Sequence, residues 1–147
     1  MEGQSKEGYR FLEHVTDAIV EAWGATFERA LVQASLGFLD TIVDASRVRL
    51  VLTEEIESEG HDELELIYNW LEELLLYFET KREVYREFAI EPVQATSKGL
   101  KVKAEARGEL YDPATHGSKI EVKGVTYHLM EVRREPGLVT IKYLLDL

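Results

Sequence analysis

Hydrophobic positions along the chain switch between two periods, and each switch marks an element. Phe27, Ala30, Leu31, Ala34, Phe38 and Ile42 recur at the spacing of one helix face, just after Thr26, a residue suited to an N-cap. This predicts a helix over 27–43. Leu64, Ile67, Trp70, Leu71, Leu74 and Phe78 form a second stripe. Asp62 opens it with a carboxylate suited to the positive end of a helix dipole, and Lys81 and Arg82 close it with cations. A second helix is therefore expected over 62–79.

Elsewhere the period is two. Leu100, Val102, Ala104 and Ala106 alternate with Lys101, Lys103, Glu105 and Arg107, the pattern of a half-buried strand. Similar β-rich runs occupy 9–12, 18–23, 48–57, 84–90, 125–132 and 139–145. The sequence Arg134-Glu135-Pro136-Gly137 separates the last two as a turn, so 125–145 reads as a hairpin. Strands and helices do not alternate as they would in a doubly wound fold. The expected class is α+β, with two helices packed on a mostly antiparallel sheet of six to seven strands. The chain has no repeat and no linker-like tract, so residues 1–147 are expected to form a single domain.

Composition narrows the function. The 147 residues are 45% hydrophobic and 31% charged, a balance that supports a packed core. The longest apolar run, Leu74 to Phe78, is five residues, whereas a membrane helix takes roughly 20. The first residues are polar and acidic, unlike a secretory signal, and a cytoplasmic location with no membrane partner is expected. The absence of cysteine excludes disulfides, thiol nucleophiles and cysteine-ligated metals, leaving oxygen and imidazole as metal donors. With 17 basic and 28 acidic residues the net charge is −11, which argues against tight direct binding of nucleic acid. Twelve of the acids lie in 54–87, beside only three basic residues. That segment is either a solvated face or a surface for a basic partner.

The motifs of common enzyme classes are missing: no P-loop, no GxGxxG, no HExxH and no GxSxG. Three clusters remain. Glu13-His14-Val15-Thr16-Asp17 lies between two predicted strands, either as a capped turn or as a functional loop. The last predicted strand runs into Asp146-Leu147, which is either a frayed end or a held one. If held beside Asp17, it would bring together carboxylates that repel unless a cation sits among them, a setting for a hard ion such as Ca²⁺ or Mg²⁺. Glu109, Asp112, His116, Lys123 and His128 form the third cluster. They could be acid/base or phosphate-binding groups, although a lysine before a strand is commonly a solvated edge residue.

At these places the sequence resembles the archease family over nearly its whole length. The resemblance rests on Tyr9-Arg10-Phe11-Leu12-Glu13-His14-Val15-Thr16-Asp17, Trp23-Gly24, Tyr68-Asn69-Trp70-Leu71-Glu72-Glu73-Leu74-Leu75, Gly108-Glu109 to His116, Val122-Lys123-Gly124-Val125-Thr126-Tyr127-His128, and Asp146-Leu147. Val15-Thr16 and Gly124 depart from the family, which often has an alanine at these places. The resemblance implies a non-enzymatic activator of the RtcB-type tRNA-splicing ligase, promoting guanylylation and multiple turnover and broadening nucleotide use. It also implies a divalent metal, Ca²⁺ with Mg²⁺ and Mn²⁺ as alternatives, held by Asp17, Asp146 and Leu147. His14, Glu109, Asp112 and Lys123 are the expected supporting or partner-facing residues. The alternative it leaves is a chaperone-like modulator of tRNA methyltransferases or other RNA-processing enzymes.

Overall fold

A computed structural model describes residues 6–12 and 17–147. The β-rich runs become β1 (Gly8–Leu12), β2 (Asp17–Gly24), β3 (Leu52–Gly60), β4 (Glu83–Ile90), β5 (Gln94–Thr96), β6 (Gly99–Leu110), β7 (Gly124–Glu135) and β8 (Leu138–Asp146). The stripes become α1 (Phe27–Ile42) and α2 (Glu63–Lys81); a one-turn helix, α3 (Pro113–His116), lies between β6 and β7. The α+β expectation holds. The strands divide into two four-stranded sheets, one in the order β1-β2-β8-β7 and one built as β3-β6-β4 with β5 also on β6. Every pairing is antiparallel. The short β5, which has three exposed residues, carries no alternation by which the sequence could announce it.

Both helices start as their caps require. Thr26 Oγ1 accepts the Arg29 amide at 3.1 Å, and Asp62 Oδ1 accepts the Glu65 amide at 2.9 Å. The second helix ends at Arg82, whose backbone is left-handed (φ 54°) and whose amide donates to the Phe78 carbonyl. Among the described residues no helix is long and apolar enough to cross a membrane.

The two long helices each touch both sheets: α1 packs on β2 and β8 and also on β4, and α2 packs on β3 and also on β7. One buried cluster therefore runs through Val20, Phe38, Trp70, Tyr85 and Tyr143. The helices meet through a polar contact within it. The Trp70 indole N–H donates to Ser35 Oγ at 2.8 Å, and Ser35 Oγ donates to the Leu31 carbonyl at 2.7 Å. Both side chains are fully buried. Ser35→Ala strands the indole N–H away from water, so it should lower the unfolding free energy by roughly 1–3 kcal/mol, read by urea denaturation.

Candidate functional site

The register of β2 on β8 builds the site. Asp17 lies directly opposite Asp146, Ile19 opposite Leu144 and Glu21 opposite Lys142. Opposed residues in an antiparallel pair share a face, with Cβ atoms roughly 4.5–5.5 Å apart. Val20 lies against α1 at Gly37, and the Tyr143 hydroxyl donates to the Ala34 carbonyl of α1 at 2.7 Å. The alternation of the pleat then turns Asp17 and Asp146 to the opposite face, away from the helix.

The terminal strand is held. Asp146 pairs with Asp17 on one side and with Gly124 on the other, and its carbonyl accepts the Lys123 amide at 2.8 Å. Leu147 is half-buried against the core. The alternative of a frayed end is thereby removed, and Asp17, Asp146 and the backbone of Lys123 come together at one end of one sheet. The Asp146 side chain is exposed and Asp17 is half-buried. His14 lies outside the described residues. Among the described residues, no three His, Asp or Glu side chains converge as a ready metal cage.

Glu109 and Asp112 serve a different construction. Glu109 is buried and accepts the Arg49 amide at 2.7 Å and His116 Nε2 at 2.8 Å, with the Arg49 guanidinium 3.3 Å away. The Asp112 amide donates to His116 Nδ1 at 2.9 Å, which leaves Nε2 as the nitrogen that carries a proton to Glu109. The Asp112 carboxylate caps α3 through the Ala114 amide at 3.0 Å and the Thr115 hydroxyl at 3.1 Å. These residues therefore tie the end of β6 to α3 and to the segment before β3. Lys123 is exposed and contributes its backbone to the Asp146 row.

The run 125–132, expected as an unbroken strand, instead carries a bulge in β7, where the register shifts between Thr126 and Glu131. A signal was present. Apolar residues sit at the odd positions Val125, Tyr127 and Leu129, then at the even positions Met130 and Val132, a change of phase that a regular strand cannot accommodate.

A profile of the Archease protein family (MTH1598/TM1083) matches residues 9–147. The chain belongs to the archease family. It is 40% identical over 136 residues to the protein archease of Methanopyrus kandleri, covering 92% of this chain and 96% of that one. It is 38% identical to that of Pyrococcus abyssi, over 84% and 87% of the two chains. The solution structure of Methanobacterium thermoautotrophicum protein 1598 superposes with a TM-score of 0.81 at 31% identity, covering 95% of this chain and 99% of that chain. A Thermotoga maritima crystal structure, described as an archease, possible chaperone, shares the fold at TM-score 0.59 and 18% identity over 92% and 94% of the chains.

The Glu109 contacts in this archease have a pH signature. The Arg49 amide, then His116 Nε2, favour the charged carboxylate and hold its pKa down at about 2, against an ordinary 4.5. A carboxyl depressed in the folded state stabilises the fold above its unfolded pKa and loses that contribution as pH falls through its folded one. The stability advantage of the native protein over Glu109→Gln should therefore be full above pH 4.5 and should vanish as pH falls to about 2, read by urea titrations across that range.

Proposed function

We propose that this archease is an accessory protein that activates an RtcB-type RNA ligase, promoting guanylylation of the ligase's active-site histidine and its multiple turnover. The tip formed by Asp17, Asp146 and Leu147 would do so as a divalent-metal site. The observation that carries this reading is the pairing of Asp17 with Asp146 at the end of a held strand. Two carboxylates fixed side by side on one face repel, and a cation between them relieves the repulsion. The donors are all oxygen, which suits Ca²⁺, with Mg²⁺ and Mn²⁺ as alternatives. A bound divalent ion would supply positive charge to neutralise phosphate oxygens during nucleotidyl transfer.

The chain's own part is positioning. Backbone pairing of β2, β8 and β7 holds both aspartates without reliance on loop conformation, and the Lys123 amide fixes the Asp146 carbonyl. His14, close in sequence to Asp17, is assigned a supporting role in this proposal, with exposed Lys123 facing partner phosphates. The chain would present the tip to the ligase and carry out no reaction of its own.

The test is a guanylylation assay with radiolabelled GTP and a competent RtcB-type ligase, with the archease substoichiometric. Stimulation should be lost with Asp17→Asn and with Asp146→Asn, while both variants stay folded; undiminished stimulation by both would overturn the metal tip. Ca²⁺ should also raise the thermal midpoint of the native chain and leave that of the variants unmoved. At about 100 times its dissociation constant, an ion bound only to the folded state contributes about 2.7 kcal/mol.

A second reading, a chaperone-like modulator of tRNA methyltransferases, is favoured by Glu55, Glu57 and Glu59, which alternate on β3 and are all exposed. Such a row suits a basic client. Reversing these three charges should reduce protection of a methyltransferase from aggregation, followed by light scattering, and leave ligase guanylylation unchanged.

A further inference from the structure

The sheet that carries the acidic tip also carries a basic cleft. Trp23 of β2, Thr140 of β8 and Arg133 of β7 stand opposite one another in one row. In the adjoining row Arg10 of β1 stands opposite Glu21, and Glu21 opposite Lys142. Alternate residues of a strand share a face, so these rows lie on the side that carries Asp17 and Asp146, turned away from α1. The cleft measures about 710 Å³, with Trp23 as an apolar wall and Lys6 at its rim.

Glu21, 8% exposed, spends its two oxygens on different cations. Oε1 accepts Arg10 Nε at 2.8 Å, and Oε2 accepts Arg133 Nη2 at 3.2 Å. One negative charge thus orients two guanidiniums, each about half exposed and each with N–H donors to spare. Arg133 also meets Glu131, which in turn meets Lys142, so this network holds three cations against two carboxylates. Lys6 adds a cation with no ion pair among the described residues. Even with Glu135 at the hairpin end, the lining has three cations to two carboxylates, in a chain of net charge −11. Thr140 is only 5% exposed, and among the buried polar side chains it alone has no hydrogen-bond partner within the described residues. No fully enclosed side-chain oxygen there lacks a partner, so the Thr140 hydroxyl opens on the cleft that it lines.

We infer that this cleft binds a phosphate group, either free or carried by a small organic molecule. The unpartnered hydroxyl of Thr140 would donate to one phosphate oxygen, the spare N–H groups of Arg10 and Arg133 to others, and Lys6 would add charge from the rim. Donors converging from three strands suit a tetrahedral oxyanion, which offers more acceptor oxygens than a planar carboxylate. The volume is that of a small-molecule site, and the charge of the whole chain opposes a long polyanion such as RNA.

The test is isothermal titration calorimetry with the full chain at low salt, in buffer stripped of divalent ions by a chelating resin so that no metal at the tip can recruit phosphate. The probes are inorganic phosphate, adenosine 5′-monophosphate and adenosine. The first two should bind, weakening with added salt, and adenosine should not. Equal affinity for the two would identify free phosphate as the ligand, and tighter binding of the nucleotide a phosphate on an organic carrier; either supports the inference. Thr140→Val keeps the branched shape but removes the hydroxyl, and should weaken binding roughly tenfold. Lys6→Gln, outside every helix and strand, should cost roughly threefold. Circular dichroism checks that both are folded, and Asp17→Asn should bind as the native chain does. Binding undiminished in the two folded variants, equal binding of adenosine, or no binding of either phosphate at millimolar concentration would overturn the inference. Tighter binding of a short single-stranded RNA than of the mononucleotide would overturn it as well, because the cleft would then hold a polymer backbone. Ligase stimulation takes no part in any of these outcomes, so the cleft stands or falls independently of the proposed function.

Discussion

The register between β2 and β8 is the constraint on which the structure depends. Val20 and Ala22 of β2, and Ile141, Tyr143 and Leu145 of β8, are all buried at or near zero exposure. Each is on the parity that turns toward α1. A slip of one residue would carry this set to the other face and bring Glu21 and Lys142 into the core, a penalty no local adjustment could offset. Slips of one residue are therefore excluded by burial, and the observed register sets Asp17 against Asp146. The acidic pair is thus fixed by residues that have no chemistry of their own.

Most of this frame was legible in the sequence, because it rests on periodicity. Both stripes became helices within a residue or two of the expected bounds, and Thr26 and Asp62 cap them as their side chains allow. The hairpin around Pro136-Gly137 formed as read, with Glu135 opposite Leu138 and Gly137 left-handed. What periodicity cannot carry is the partition of strands among sheets. The alternation of β6 and the continuously buried run of β2 are both compatible with more than one neighbour, and the sequence pattern does not say that β6 joins β3 and β4 while β2 joins β8. The same limit applies to the third cluster of polar residues. Glu109, Asp112 and His116 are close in sequence and look like chemistry, yet their hydrogen bonds are all accounted for by Arg49, by α3 and by one another.

The two groups of carboxylates in the expected site are built into different surroundings. Glu109 is surrounded by donors, so its charge is satisfied from within the protein. It has little left to offer a ligand. Asp17 and Asp146 instead share a face at a sheet end, in register across β2 and β8. Partners within the protein and burial together separate the structural carboxylate Glu109 from the exposed Asp146, the candidate for binding a ligand.

The edge strand β7 links the tip to the rest of the surface. Its first residues, Gly124 to Thr126, complete the row beside Asp146 and so must follow the register of β8. Its later residues must bury Met130 while keeping Glu131 beside Lys142 and Arg133. The two demands are out of phase by the parity change between Leu129 and Met130, and the bulge is the place where the phase is corrected. A strand that corrected its phase with glycine would leave a smooth edge. Here the left-handed position is a leucine, and the extruded turn carries Tyr127 onto Tyr68, so the correction is made with exposed apolar side chains. Backbone strain of this kind persists only where surrounding packing enforces it. The buried Val125 and Met130 on either side supply that enforcement, which makes the outward face of the bulge as fixed in position as the acidic row it adjoins.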